Sequence, residues 1–197
     1  LWDSTLGINT DAASSTRMAP LASTSGNDLV VYTLPSMVDG LSVGVSSQLE
    51  TSGGSASTAF GLTYAGVDGL SVSYGKGDSE GVTDVSGDQT IMKASYAYGP
   101  ITVSASQNDF DHTTNTIDQR VTSYGLSYTV SDAISLSYGE ETIDRALEVT
   151  DIEVSGYSVA YTTGGMTVSV ASVKADGVDH VANADNEMWK LGLSLAF

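Results

Sequence analysis

The chain has 197 residues, no cysteine, 3 prolines, 21 glycines and a formal net charge of -17 at pH 7. The absence of cysteine excludes disulfide scaffolds, thiolate metal sites and cysteine catalysis. Nucleic-acid binding needs clustered Lys and Arg, and the 7 basic residues of this chain are scattered. Apolar residues make up 41%, but they never form the run of roughly 20 that a transmembrane helix needs.

After about residue 27 the sequence alternates with a period of two, which predicts about eleven β-strands. In Leu70-Ser-Val-Ser-Tyr74, for example, one face is apolar and the other carries hydroxyl groups. No apolar stripe with a helical period persists beyond a turn, so no helix is predicted. The predicted strands span approximately residues 28–35, 41–49, 57–65, 70–77, 89–99, 101–110, 119–130, 134–142, 153–163, 166–175 and 187–197.

The connections between these strands alternate between short turns and longer polar segments. The short ones carry the Gly, Asp and Pro that tight hairpins need. They are residues 37–40, 66–69, 99–100, 131–133 and 164–165; the longer ones run over 77–88, 111–118, 140–151 and 176–186. Short turns at one edge and long loops at the other are typical of outer-membrane barrels.

The last strand gives the clearest sign of a membrane. Its apolar face would make a soluble edge strand prone to aggregation, whereas in a closed membrane barrel this face meets lipid. Tyrosines near the strand ends predict aromatic belts at the two interfaces. The sequence therefore predicts an all-β protein, an antiparallel transmembrane β-barrel. The residues of this apolar face are Trp189, Leu191, Leu193, Leu195 and Phe197.

The strand count predicts part of a barrel, because bacterial single-chain barrels have an even number of strands and periplasmic termini. The stretch from Asn27 to Leu41, together with the terminal Leu-Ser-Leu-Ala-Phe, resembles the general porins of Gram-negative outer membranes. In that family, eleven of sixteen strands follow the in-folded third loop. The resemblance implies that residues 1–27 are the remainder of this constriction loop. Residues 28–197 would be barrel strands with short periplasmic turns and long extracellular loops.

The resemblance further implies a homotrimeric, water-filled channel for passive diffusion of ions and small hydrophilic solutes, with no enzymatic activity. It implies an outer-membrane location with lipid, lipopolysaccharide and the barrel-assembly machinery as partners. Asp3 and Asp11 would be acids of the constriction loop, and Arg17 a basic group near them. The family often has Arg where this chain has Gly26. The aromatic terminal strand would be the membrane-assembly signal.

Strand alternation places Gln48, Lys93, Asn108 and Lys190 on the polar, inward face, either as solvated wall residues or as contacts for solute. Acids crowd the predicted long loops, where they would favour cations at a pore mouth or simply keep the loops soluble. These acids are also oxygen ligands of the kind that Ca²⁺ or Mg²⁺ takes, although no resident cofactor is predicted.

Two other classes of protein share parts of this pattern. An acidic, Ca²⁺-dependent extracellular structural or adhesion protein, similar to a surface-layer domain, would also be Cys-free and rich in Gly, Ser, Thr and Asp. It would bury its apolar faces against a second sheet. An enzyme is disfavoured, because His112 and His180 lie in predicted loops and form no recognisable catalytic motif.

Overall fold

The structure, a computed structural model, describes residues 29–35, 37–48, 57–79, 87–113 and 118–196. The predictions for residues 1–27 and for Phe197 lie outside these residues. The described chain forms one eleven-stranded antiparallel sheet in which each strand pairs with its neighbours in sequence. The strands are β1 (Leu29–Thr33), β2 (Leu41–Gln48), β3 (Ser57–Tyr64), β4 (Leu70–Ser79), β5 (Gly87–Tyr98), β6 (Ile101–His112), β7 (Gln119–Ser131), β8 (Ile134–Arg145), β9 (Ile152–Thr163), β10 (Met166–Asp176) and β11 (Asn186–Leu195).

The eleven predicted strands are confirmed, and so are the tight turns that join them at one edge. Gly40 and Gly69 both have φ near +73° in these turns. A Cβ on Gly40 would lie 2.3 Å from the backbone of Gly66, and one on Gly69 would lie 2.1 Å from the carbonyl oxygen of Ala97. Only glycine fits such positions, which explains why the turns were visible in the sequence.

The strands continue further toward the other edge than the sequence predicts. β4 ends at Ser79, β6 at His112 and β8 at Arg145, two or three residues beyond the predicted ends. The connections at this edge are therefore shorter than predicted, for instance 146–151 and 177–185. Among the described residues the helical structure is a single 3₁₀ turn, Val178–His180. No helix in the described chain is long and apolar enough to cross a membrane.

The half of the sheet nearest the tight turns, called here the turn-side half, has one apolar face, called the outer face. Residues directly opposite one another on paired strands share a face, so the pairing traces this surface from strand to strand. Most of its large apolar side chains are exposed. One row of directly opposite residues across this face consists of Leu70, Tyr96, Val103, Leu126, Tyr138, Tyr157, Ser172 and Trp189. All of them except Ser172 are large and mainly apolar.

On strands β6 to β11 the alternation is inverted in the loop-side half, which is the part of the sheet beyond that row. On β10, Val168 and Val170 lie on the outer face, whereas Val173 and Ala175 lie on the opposite, inner face and Lys174 points outward. The same exchange occurs on all six strands from β6 to β11. The inner-face apolar residues of this half are Phe110, Val121, Ile143, Ile152, Val154, Val173, Ala175 and Met188.

The buried core of the described chain lies on this inner face. Ile143, Ile152 and Val173 are each 1% exposed, and they form one cluster with Val154 and Ala175. Val121, Val178 and Met188 pack against the cluster from its edges. The second sheet that the surface-layer alternative required is not found in the described part of the chain, and the outer face of the turn-side half stays exposed.

Aromatic side chains mark the boundary between the two halves on the outer face. The Trp189 indole Nε1 donates a hydrogen bond to Glu187 at 3.1 Å, and the Tyr138 hydroxyl donates one to Glu140. Tyr157 packs edge-on against Trp189, with ring centroids 6.0 Å apart. The polar tips of Trp189 and Tyr138 point away from the apolar band toward carboxylates, as expected of an interfacial belt.

Candidate functional site

The inner face of the sheet carries the polar side chains, and one row across it holds two opposite charges. Lys93 on β5 is followed across the strands by Ser106, Ser123 and Glu141. The Ser123 hydroxyl donates to a Glu141 carboxylate oxygen at 2.9 Å. Lys93 is exposed, whereas Glu141 is buried. Three strand spacings separate them, about 14 Å, so they do not form an ion pair.

Toward the tight turns, the inner face is covered mainly by hydroxyl groups. Pairs of side chains from neighbouring strands hydrogen-bond to each other, which satisfies them without introducing charge. The pairs are Thr63 with Ser73 at 3.0 Å, Ser137 with Ser158 at 2.6 Å, and Thr162 with Thr167 at 2.9 Å. Such a surface is polar but carries no net charge.

Glycines widen the space in front of the inner face. Gly44, Gly61 and Gly75 lie opposite one another on β2, β3 and β4, so this row has no side chains. A depression of about 310 Å³ lies here, with Lys93 and Ser73 in its lining. It is shallow and lined mainly by small residues, unlike a pocket shaped for one ligand.

The predicted wall residues all lie on the inner face, but in different rows. Gln48 pairs with Ser57, and Lys93 lies in the charged row described above. Asn108 accepts a hydrogen bond from the Gln89 amide at 2.9 Å. Lys190 is exposed opposite Ala171. These side chains are spread over the wall and do not converge on a single point.

Glu141 was missed as a wall residue, because it was assigned to the loop of residues 140–151 although the predicted strand reached residue 142. In the structure β8 runs to Arg145, and Glu141 shares the inward parity of Ser135 and Ser137. Counting alternate residues from Ser137 would have identified it. The inner apolar cluster was missed in part because Ile143 and Ile152 lie just outside the predicted strands.

Most of the described acids that the sequence placed in loops at the pore mouth lie on strands. Many of them point outward and form a belt above the aromatic side chains. Three basic residues neutralise part of it: Lys76 with Asp88 at 3.5 Å, Arg120 with Asp109 at 2.5 Å and Lys174 with Asp176 at 2.6 Å. The outward strand carboxylates are Asp78, Asp88, Asp109, Asp111, Glu140, Asp144, Glu153, Asp176 and Glu187.

The two histidines occupy structural positions. The His180 ring Nδ1 lies 2.8 Å from the Thr150 carbonyl oxygen, and the His112 ring packs against Phe110 with centroids 5.9 Å apart. In the described ranges no three His, Asp or Glu side chains come together as a metal site would require. Divalent-ion binding by the loops stays a prediction.

The terminal strand presents its apolar side chains outward. Trp189, Leu191, Leu193 and Leu195 are 60%, 76%, 64% and 52% exposed, on the outer face of β11. β11 pairs with β10 along its whole length. An exposed apolar stripe of this length requires a hydrocarbon environment or another apolar surface to cover it.

These features together define the wall of a transmembrane β-barrel: an apolar outer band, aromatic residues at its edge and a small, polar inner face. Residues 2–146 match the family model of Gram-negative porins, and the chain belongs to this family. Its members lie in the outer membrane of Gram-negative bacteria, and their fold is that of a channel rather than an enzyme.

Solved porin structures share the fold at low sequence identity. An anion-selective porin from Comamonas acidovorans superposes with a TM-score of 0.71 at 15% identity, covering 86% of this chain and 59% of that one. OmpT of Vibrio cholerae superposes with a TM-score of 0.64 at 15% sequence identity, covering 86% of this chain and 64% of that one. Salmonella typhi OmpF, in complex with daunomycin, superposes with a TM-score of 0.64 at 14% identity, covering 86% of this chain and 61% of that one.

The chain therefore spans about three fifths of the length of these structures. No curated protein matches its sequence significantly.

Proposed function

We propose that the protein forms a water-filled channel for passive diffusion of ions and small hydrophilic solutes across the outer membrane. The observation that carries this proposal is the inner face of the turn-side half, where serine, threonine and glycine rows oppose an apolar outer face. A wall of this kind lets solutes pass without binding them tightly. The eleven strands would be part of a sixteen-stranded barrel, and the function needs no catalytic group.

The proposal extends to a modest preference for cations. The formal net charge of -17 and the acids near the loop-side edge favour positive ions through the summed field, even where individual carboxylates point outward. The anion-selective relative from Comamonas acidovorans has the same fold. The fold therefore does not decide ion preference, and the sign of the charge at the entrance does.

The site residues keep the roles that the resemblance and the alternation gave them. We assign Asp3, Asp11 and Arg17 to the constriction and Gln48, Lys93, Asn108 and Lys190 to the solvated wall. The exposed outer face would meet lipid and lipopolysaccharide, and a homotrimer would cover part of it. Acids of the long loops would be the place where Ca²⁺ or Mg²⁺ binds. The apolar stripe that ends at Phe197 would be read by the barrel-assembly machinery.

The test is a planar-bilayer recording on natively purified protein under a KCl gradient. Stepwise openings, in groups of three for a trimer, are expected, and the reversal potential should favour K⁺ over Cl⁻. A reversal potential that favours Cl⁻ would reject the cation preference alone. A protein that produces no openings and stays soluble without detergent would reject the channel.

A further inference from the structure

The outward orientation of the strand acids leaves open which carboxylates meet a solute at the loop-side entrance. Of the carboxylates on the described strands, Glu141 alone lies on the inner face, and its side chain is buried against Ser123. An acid that meets a passing ion directly must be exposed and on the inner side, whereas the outward acids act only through the summed field. The remaining described acids lie in the loops.

The loop between β10 and β11, residues 177–185, folds onto the inner face. Val178, the first residue of its 3₁₀ turn, packs against the apolar cluster of Ile143, Ile152 and Val173. The Val178 amide donates to the Ala184 carbonyl oxygen at 2.8 Å, which closes the loop on itself. The apolar cluster lies on the side opposite the lipid-facing band, so the loop that covers it lies on the pore side.

Contacts with the neighbouring loop hold this segment on both sides of Asp179. The buried His180 ring places Nδ1 2.8 Å from the Thr150 carbonyl oxygen. Gly177 has φ of 67°, and a Cβ there would lie 2.3 Å from the Asp151 carbonyl oxygen. The β8–β9 and β10–β11 loops are thus in backbone contact, and Asp179 lies exposed between two anchored residues.

The backbone of the loop is strained in a way that only firm contacts can maintain. Asp179, His180 and Asn183 have φ values of 57°, 60° and 62°, in the left-handed region that costs a non-glycine residue roughly 1 kcal/mol. Three such residues in one short loop indicate a single fixed conformation rather than a set of exchanging ones. Strain of this kind is concentrated at functional segments.

We propose that Asp179 is a selectivity-determining residue of the pore, held on the inner side of the loop-side entrance. There its carboxylate raises the local concentration of small cations and disfavours anions, because one sign of charge at a pore mouth attracts the opposite ion. The inference rests on the proposed channel function and names the residue that sets its ion preference.

The first test compares Asp179→Asn with Asp144→Asn in planar bilayers under a KCl gradient. Both changes remove one carboxylate and keep the side-chain shape, but Asp144 lies on the outer face. We expect Asp179→Asn to lower the cation-to-anion permeability ratio about two-fold, since a unit charge within a Debye length of a narrow entrance changes ion concentrations by about that much. Asp144→Asn should lower the ratio less, because its carboxylate lies on the far side of the wall.

A second test uses the absence of cysteine from the chain. Asp179→Cys and Asp144→Cys provide single thiols, and a cationic methanethiosulfonate reagent is added from the loop side during recording. Modification at residue 179 should reduce the single-channel conductance after the reagent is added. Modification at residue 144 should leave the conductance unchanged. Mass spectrometry of the recovered protein shows whether each thiol reacted.

The outcomes separate the two proposals. Wild-type protein that forms no channel rejects the proposed function and this inference together. Wild-type channels with equal permeability ratios for the two Asn variants, or with conductance insensitive to a modified residue 179, reject the role of Asp179 and leave the channel intact.

Discussion

The turn-side and loop-side halves of the sheet are formed by the same strands, yet their amphipathic patterns are opposite. In the turn-side half the apolar side chains point outward and the inner face is hydroxylated. In the loop-side half the outer face carries acids and the inner face holds the buried cluster of Ile143, Ile152 and Val173. On β10 the exchange occurs within three residues, between Val170 and Val173.

The difference shows that solvent on each side, rather than strand position, decides which face is apolar. Where hydrocarbon lies outside and water inside, apolar groups point outward. Where water lies outside, the same strand buries its apolar groups inward, and each buried aliphatic side chain contributes about 1.5–3 kcal/mol. The sheet is stabilised by lipid contact in one half and by protein packing in the other.

The largest expected effect is on assembly and comes from the end of the turn-side apolar stripe. Deletion of Phe197 should remove most folded protein from the outer membrane, because in the sequence this aromatic residue shares the alternation of Leu191, Leu193 and Leu195. Heat-modifiable gel mobility of outer-membrane fractions measures the folded amount, and Ala196→Ser serves as the control. Normal levels of the truncated protein would contradict the assembly role.

In the loop-side half, Ile143→Ala should lower the free energy of unfolding by about 2–5 kcal/mol, the cost of a large-to-small change in a packed core. Ser135→Ala is the matched control, since Ser135 lies on the same strand and face but is exposed in the turn-side half. Its effect should stay within about 0.5 kcal/mol. Guanidinium unfolding in lipid vesicles gives both values. Similar values for the two variants would mean that the inner cluster is not a core.

On the outer face, Leu193→Lys should destabilise the inserted protein by about 2–4 kcal/mol, because the lysine would lie in hydrocarbon midway along the apolar stripe. Glu153→Lys is the control, because it introduces lysine on the outer face of the loop-side half, where Glu153 is already exposed. That variant should insert and unfold as the wild type does. Equal tolerance of both lysines would place the membrane boundary elsewhere.

The smallest expected effect compares inner-face hydroxyls of the two halves. Ser123→Ala removes the donor to the buried Glu141 and should cost about 1.5–3 kcal/mol, the range for hydrogen bonds to charged groups. Ser137→Ala removes a neutral bond to Ser158 and should cost about 0.5–1.5 kcal/mol. Vesicle unfolding again supplies the measurement. A larger loss of free energy of unfolding for Ser137→Ala than for Ser123→Ala would contradict this prediction.

Most of the turn-side half could be predicted from the sequence, because a period of two and glycine-bearing turns are local signals. The strands, their order and the outward face of Leu191 and Leu193 followed directly. The inward parity of Lys93 and Asn108 followed from the same count.

The loop-side half could not be predicted in the same way, because its apolar parity inverts without a break in the chain. Acids such as Asp144 and Asp176 suggested loops, although they are outward residues of continuing strands. The position of Val178 on the inner cluster depends on contacts between segments distant in sequence, which no local pattern encodes. Sequence analysis therefore described the membrane-facing half and missed the part that holds the entrance.

The aromatic boundary row also fixes how deep the protein can sit. A slip of two residues along a strand moves it roughly 6–7 Å. Inward movement would submerge outward groups such as Lys174 and Glu187 in hydrocarbon, and outward movement would lift Leu191 into water. Both displacements raise the free energy steeply, so the sequence sets the depth of insertion in the bilayer. The barrel can rotate or diffuse laterally in the membrane, but it cannot shift along the membrane normal.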